Sequence, residues 1–277
     1  MFPKLFQYGD FFLPTYGVLV ALAFLAGLWV TTRLARRVGI NHELVVNLVV
    51  YCALSGLLGA KLLMFIFDWD HFSKNPADMF SMATLRAAGV YQGGLILAVA
   101  TAFWYVRRHA MPWLQTFDVF APGIALGHAI GKVGCFAAGC CWGKETTSAI
   151  GVHFTELGHE YTGVPIYHAD HSDIFLYPTQ LIESFTMLAV FGFLYWLHRN
   201  KKFDGQVFIA YGIIYSIVRF SIEFIRDDPR GDLWGLTSLT GLSTSQLVSL
   251  LVLALAIVVL IWRQRSASSR LLTTEKL

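Results

Sequence analysis

Residues 245–262 read SQLVSLLVLALAIVVLIW, eighteen positions without a charged side chain. Coiled as an α-helix rising 1.5 Å per residue, such a run covers about 27 Å, close to the roughly 30 Å hydrocarbon layer of a bilayer. A helix apolar on every face is either the centre of a large core or a membrane span. Working outward with a window of about 19 residues, six further runs of this kind appear near 14–33, 44–67, 90–106, 116–137, 180–198 and 205–225. Composition agrees: 56% of the 277 residues are hydrophobic and 14% charged, against about a quarter charged in an ordinary soluble domain. Mean hydropathy is +0.56. Disordered chains and soluble two-domain proteins are excluded, and a β-barrel too, because the runs are uniformly apolar and do not alternate. A net charge of +3 is too small a bias to suggest a nucleic-acid partner. The expectation is an all-α polytopic membrane protein of seven transmembrane helices. Residues 1–265 form one membrane domain with loops 68–89 and 143–178, and 266–277 a tail.

The distribution of positive charge sets orientation. Arg33, Arg36 and Arg37 follow the first apolar run instead of preceding it, so that run reads as a retained helix with its N-terminus outside. Alternating sides from there, the connectors after the odd-numbered spans hold Arg33, Arg36, Arg37, Arg107, Arg108, Arg199, Lys201, Lys202, Arg263, Arg265, Arg270 and Lys276. The opposite side holds Lys4, Lys74, Arg86, Lys144, Arg226 and Arg230. Twelve against six places the C-terminus in the cytoplasm and the N-terminus in the periplasm, with the His-rich loop 143–178 also periplasmic. In a bacterium such a protein sits in the inner membrane, with that loop periplasmic.

An ionisable side chain at bilayer depth is expensive unless paired or wet, so each one marks a candidate site. In Tyr211-GIIYSIVRFSIEFI-Arg226, residues Tyr211, Tyr215, Arg219, Glu223 and Arg226 fall at i, i+4, i+8, i+12 and i+15, one helical stripe with Glu223 in reach of both arginines. A structural ion pair to a neighbouring helix is one reading. The other is a two-arginine fork for a phosphate, which in a membrane means a phospholipid.

A second cluster lies in Gly127-HAIGKVGCFAAGCCWG-Lys144. His128 and Lys132 share a face, and small residues including Gly131, Gly134 and Gly143 let backbone or an acyl chain come close. Cys135, Cys140 and Cys141 lie here, with Cys52 apart in the second span. Metal binding would favour a second Cys or His pair at ligand spacing, and adjacent cysteines lack redox C-x-x-C geometry, so small apolar packing is the plainest reading of the thiols. A disulfide from Cys135 to Cys140 or Cys141 stays open. No metal or other cofactor is expected. Gly89-VYQGG-Leu95 puts glycines and Gln92 at the outer end of the third span, a poor start for a purely structural helix. Tyr177-PTQLI-Glu183 opens the fifth span, and Tyr16 follows Pro14 at the outer end of the first. The loop histidines His153, His159, His168 and His171 read as a solvated loop more readily than as a metal site.

These segments together resemble the bacterial prolipoprotein diacylglyceryl transferases, from Tyr16 to about Leu250. Gly131-Lys132-Val133-Gly134-Cys135-Phe136 through Gly139 to Trp142-Gly143 is similar to that family's signature, in its Gly-Cys-Phe-x-x-Gly-Cys-Cys-x-Gly version. Tyr91-Gln92-Gly93-Gly94-Leu95 resembles an aromatic-His-Gly-Gly-Leu segment, and Tyr177-Pro178-Thr179-Gln180-Leu181 with Glu183 a Pro-Ser/Thr-Gln-Leu-Tyr-Glu segment. Arg219-Phe220 with Glu223 and Arg226 resembles Arg-Phe-x-x-Glu-x-x-Arg, and Ser245-Gln246-Leu247 with Ser249 a Gly-Gln-x-x-Ser helix opening. The chain departs at four positions: Gln92 stands for the family His, Lys132 for Arg, Cys135 for Asn and Cys140 for Glu.

The resemblance implies transfer of a diacylglyceryl group from phosphatidylglycerol to the lipobox cysteine of a preprolipoprotein signal peptide, forming a thioether and releasing glycerol phosphate. It implies Arg219 and Arg226 as a phosphate clamp supported by Lys132, Glu223 orienting the arginines, and Gln92, Tyr16 and Tyr215 on the headgroup. Because Gln cannot shuttle a proton, His128 is the substitute base. The nucleophile is the substrate's thiol, so none is assigned to Cys135, Cys140 or Cys141. Two rivals stand beside this reading: a membrane thiol oxidoreductase built on those cysteines, and a lipid-binding transporter, which should show paired broken helices in repeated halves.

Overall fold

The computed structural model describes residues 2–9, 11–82, 84, 87, 89–228 and 236–274. Arg86, Arg230 and Lys276 of the charge count lie outside the described residues, as does the end of the tail. Among the described residues there are seven long helices: α1 (Thr15–Arg37), α2 (His42–Phe67), α3 (Tyr91–Arg108), α4 (Trp113–Ala138), α5 (Thr179–Asn200), α6 (Gln206–Ile222) and α7 (Thr244–Thr274). Six are long and apolar enough to cross a membrane. The helix expected over 90–106 forms as α3 but is not among the six, because Gln92 at one end and Arg107 and Arg108 at the other dilute an 18-residue segment. α7 runs past the apolar stretch to Thr274, since nothing after Trp262 in it is Gly or Pro. One element was invisible to periodicity. An antiparallel hairpin of β1 (Lys4–Tyr8) and β2 (Phe11–Pro14) precedes α1, pairing Phe6 with Leu13 and Gln7 with Phe12, and its turn uses Gly9 at φ +57°.

The described chain forms two compact units, residues 32–116 and residues 1–31 with 117–277. In the first, α2 and α3 meet through bare backbone. A Cβ on Gly93 would overlap the Gly59 carbonyl and lie 2.5 Å from the Leu63 Cβ, and one on Gly94 would sit 2.8 Å from the Gly56 carbonyl. Small residues at a helix crossing in lipid allow this approach. The glycines after Gln92 therefore have a packing role, which corrects the reading of Gly89–Leu95 as a poor structural start. Val90 N–H donates to the Ala60 carbonyl at 3.0 Å, fixing the entry to α3. Lys61, within α2, donates to the carbonyls of Thr84 and Ala87. Cys52 is a packing thiol that donates to the Ala98 carbonyl at 3.6 Å.

In the second unit the first residues of α1 cross α4 through the same device, with Gly27 against Gly123 and Ala23 against Gly127. α4, α5 and α6 share a core of Ala121, Ala125, Ala129, Met187, Val190, Leu194, Leu197 and Val207. Segment 143–178 is a folded cap, contrary to the expectation of a solvated loop. Trp142, Phe154, Val164, Ile166, Ile174 and Leu176 give it a core of its own, closed by bridges of Leu176 to Glu145 and Val152. Three of its histidines are spent on that fold: His153 on the Ile174 carbonyl at 3.1 Å, His159 on the Val164 carbonyl at 2.7 Å, and His168 on Glu145 at 3.0 Å.

At the far end of this unit Asp118, fully buried, caps α6. Its carboxylate accepts from the backbone N–H of Gly205, Val207 and Phe208 at 2.8–3.0 Å and from Lys201 Nζ at 2.8 Å. A carboxylate on orphan N–H groups at a helix start satisfies donors and dipole together. Burial pushes the Lys201 ammonium down, but its bonds to Asp118 and Asp204 outweigh this and raise it. A folded-state value above the unfolded one means a contribution complete below the ordinary lysine value of about 10.4 and lost as pH rises through the folded value. Asp118→Ala is expected to cost about 3–5 kcal/mol, because it strands a buried cation and three N–H groups, read as a lowered thermal midpoint in detergent. Lys201→Met should abolish the alkaline decline in stability; an unchanged decline would contradict this account.

Candidate functional site

α4 presents His128, Lys132 and Cys135 at i, i+4 and i+7, on one face. Facing it is the first part of α5, which starts at Thr179 directly after Pro178 and buries Thr179, Gln180, Glu183, Ser184 and Met187. The two helices are pinned where Ser184 Oγ donates to the Ala129 carbonyl at 2.8 Å.

Glu183 is the hub of this contact. Its carboxylate is 2% exposed; Oε1 meets His128 Nε2 at 2.8 Å, while Oε2 meets Lys132 Nζ at 2.7 Å and stands 3.8 Å from an Arg226 guanidinium nitrogen. A buried carboxylate without partners would be severely penalised, and here positively charged or chargeable groups surround it.

Arg226 reaches Glu183 because the helical stripe expected across 211–226 stops short. α6 ends at Ile222, Glu223–Ile225 tighten into a 3₁₀ turn, and Arg226 is extended at φ −88° and ψ 152°. Arg226 thus leaves the stripe. It joins a short ladder in which Lys144 N–H donates to the Ile225 carbonyl at 2.8 Å and Gly143 N–H to the Tyr177 carbonyl at 3.1 Å. Gly143 is squeezed there: a Cβ would lie 2.7 Å from the Ile225 carbonyl and from Tyr177 on its other side. The Arg226 guanidinium also forms a two-pronged pair with Asp228, Nε to Oδ1 and Nη2 to Oδ2 both at 2.9 Å.

Arg219 stays on the stripe, donating to Glu223 at 2.7 Å and to Ser245 Oγ on α7 at 2.9 Å. The expectation that Glu223 serves both arginines is met for Arg219; Arg226 pairs with Glu183 and Asp228. Tyr215 lies with its ring 5.8 Å from that of His128, centroid to centroid, and stacks on Tyr211 at 5.7 Å. Tyr16 leans on Gly134, where a Cβ would come within 3.3 Å of the phenol ring. Gln92 lies in the other compact unit, exposed at the second position of α3.

The thiols converge as well. Left-handed backbone at Gly139 (φ +85°) and at Cys141 (φ +65°) turns the chain after α4, and α5 holds that turn in place: Thr179 Oγ1 donates to the Cys141 carbonyl at 2.6 Å and Gln180 Nε2 to the Cys140 carbonyl at 2.7 Å. The Sγ atoms of Cys135, Cys140 and Cys141 then lie within 4.8 Å of one another, all as free thiols. Hydrogen bonds from the Cys135 and Cys140 thiols push the Cys141 thiol down, and hydrogen bonding with Cys135 and Cys141 pushes that of Cys140 up.

Sequence reasoning missed Glu183, Gln180, Asp228 and Ser245 as site members, although Gln180, Glu183 and Ser245 stood in the quoted motifs. The available signal was that Glu183 is the lone acid in α5, and a solitary carboxylate in an apolar helix demands a partner.

Long apolar helices and a buried carboxylate ringed by His, Lys and Arg define a multi-pass membrane protein with a polar site at one end of its helices. Residues 3–262 match the family described as prolipoprotein diacylglyceryl transferase. The chain is 34% identical over 260 residues to the phosphatidylglycerol--prolipoprotein diacylglyceryl transferase of Clostridium tetani, covering 94% of this chain and 96% of that one. Similar relatives occur in Clostridium perfringens (33% over 242 residues, 86% of each) and Dehalococcoides mccartyi (32% over 265 residues, 95% and 94%). The chain belongs to the prolipoprotein diacylglyceryl transferase family, a family of membrane transferases.

Two glycine substitutions separate packing of the site from helix propensity. Gly143→Ala forces a Cβ into the Tyr177–Ile225 sandwich and should destabilise the protein by about 1–3 kcal/mol. Gly131, with nothing within 4 Å of a Cβ, should accept Ala with a gain of up to about 1 kcal/mol. Thermal unfolding in detergent checks both; equal effects would refute the sandwich.

Proposed function

We propose that this protein transfers the diacylglyceryl group of phosphatidylglycerol to the lipobox cysteine of preprolipoproteins, as a seven-span enzyme of the bacterial inner membrane. In this reading residues 1–265 form one membrane domain and 266–277 its cytoplasmic tail, with the N-terminus and the cap 143–178 on the periplasmic side, where a secreted preprolipoprotein presents its signal peptide. The observation that carries the reading is the Glu183 hub, which gathers His128, Lys132 and Arg226 in a chain of this family.

The reaction forms a bond from the cysteine sulfur to the terminal glycerol carbon of the diacylglyceryl group and breaks that carbon's bond to the phosphate oxygen. Negative charge grows on the departing glycerol phosphate. Groups that stabilise such charge in place, without reorganising, lower the barrier most. Lys132, Arg219 and Arg226 are the cations for this, each already oriented by a carboxylate: Glu183, Glu223, and Glu183 with Asp228. Arg219 and Arg226 offer planar forks suited to phosphate oxygens.

The attacking sulfur must be a thiolate. His128 is the proton acceptor: Nε2 is engaged with Glu183, which favours the tautomer with its proton there and leaves Nδ1 basic. Tyr16 and Tyr215 contribute hydroxyl groups to the glycerol headgroup. Gly134 and Gly143 keep side chains out of the space beside them.

Purified protein incubated with phosphatidylglycerol and a lipobox peptide should yield, by mass spectrometry, the peptide enlarged by one diacylglyceryl group, with glycerol phosphate released in equal amount. Arg219→Ala should abolish product and His128→Gln should lower turnover by about 10²-fold or more. Absence of product from the wild-type protein, while a known transferase succeeds under the same conditions, would overturn the proposal. An unaffected His128→Gln would remove His128 from the proton transfer.

A further inference from the structure

The proton transfer above leaves the three-thiol cluster without a role. Its sulfurs span at most 4.8 Å. Three thiolates around one zinc ion, each at about 2.3 Å, stand about 3.8 Å apart in tetrahedral geometry, which small χ1 rotations would reach. Packing alone does not account for the way the chain is bent to bring them together. A non-glycine residue, Cys141, is held in left-handed backbone at φ +65°, and two side chains of α5 grip the carbonyls of Cys140 and Cys141. The thiols are half-buried, so a ligand can reach them.

Their place in the fold bears on the chemistry. Cys135 follows Lys132 by three residues on the same face of α4, about 4.5 Å along the axis. Gln180, which holds Cys140, precedes Glu183 by three on α5. The cluster is one turn of α4 from Lys132, one of the cations assigned to the phosphate.

We propose that Cys135, Cys140 and Cys141 bind a zinc-class divalent cation whose fourth position takes the sulfur of the substrate cysteine. This rests on the transfer reading above and deepens it. Three protein ligands with an open fourth position is the coordination pattern of catalytic zinc, and a coordinated thiol is deprotonated outright. The step balances without any further reactant. The substrate thiol loses its proton as the sulfur–metal bond forms, and that proton passes through solvent to the His128–Glu183 pair. The bound sulfur then displaces glycerol phosphate from the glycerol carbon. The new thioether, neutral and a poorer ligand, leaves the metal, and the proton ends on the phosphate. Sulfur activation falls in this way to a cluster one turn of α4 from Lys132.

The test uses full-length protein in detergent, reduced and stripped with a chelator, then loaded with Co²⁺ as a spectroscopic stand-in for Zn²⁺. Expected are one Co²⁺ per chain with a thiolate-to-cobalt charge-transfer band, displaced by Zn²⁺, and a change in that band on adding a lipobox peptide but not its Cys→Ser counterpart. Cys140→Ser should weaken Co²⁺ binding by more than about 100-fold, beyond what loss of an outer-shell partner causes, while Cys52→Ser leaves it unchanged. Chelation and reloading of the wild-type protein repeat the comparison without a substitution, so a misfolded variant does not decide it. A missing band, a band retained in Cys140→Ser, or one blind to the peptide thiol overturns the proposal. Lipid transfer measured in parallel separates the two readings: full activity of the stripped protein removes the metal and leaves the transferase standing, whereas a thiol-responsive metal site in a protein that transfers no lipid removes the transferase and, with it, the displacement step.

Discussion

A carboxylate 2% exposed between two apolar helices has few ways to exist in a membrane protein, and Glu183 uses one of them, a ring of basic side chains. Alone in α5, it must be compensated from outside its own helix. The compensation comes from two separate segments: His128 and Lys132 from α4, and Arg226 from the strand-like exit of α6. Much that surrounds it can be understood as holding that meeting in place. Ser184 fixes α5 on α4, Gly143 admits the ladder that carries Arg226, and Asp228 takes the remaining edge of the guanidinium. A cluster assembled this way holds its cations in fixed places around one carboxylate.

The opposite end of the same unit solves a similar problem for another purpose. Asp118 is equally buried and equally surrounded by donors, but three of its four are backbone N–H groups at the start of α6. Its charge is consumed in stopping and starting helices. Glu183 faces long side chains whose heads can trade one oxygen for another. That difference, more than burial, separates a structural carboxylate from one in a site able to exchange partners.

Local patterns were legible in the sequence and long-range meetings were not. Uncharged runs such as 245–262 predicted the helices closely, and the i, i+4 spacing of Arg219 and Glu223 predicted their ion pair. The same spacing failed at Arg226, since it assumes the helix continues and α6 ends at Ile222. Gly93 and Gly94 read as a weak helix start until α2 appeared against them. The partners of Glu183 lie some fifty residues upstream and forty downstream, beyond any periodicity. The cysteine cluster was hidden likewise: 135, 140 and 141 form no ligand spacing until two left-handed residues fold the chain back.

The central claim is that Glu183 and the cations around it act as one unit. A double-mutant cycle of Glu183→Gln and Lys132→Met, read as unfolding free energy in detergent, addresses it most directly. Either single change leaves a buried group without its partner, and the double change removes both. The expected result is strong coupling, about 1–3 kcal/mol, with the double variant more stable than the sum of the single losses allows. Losses that add to within about 0.5 kcal/mol would mean that the two groups stand side by side without depending on each other, and would contradict this account of the site.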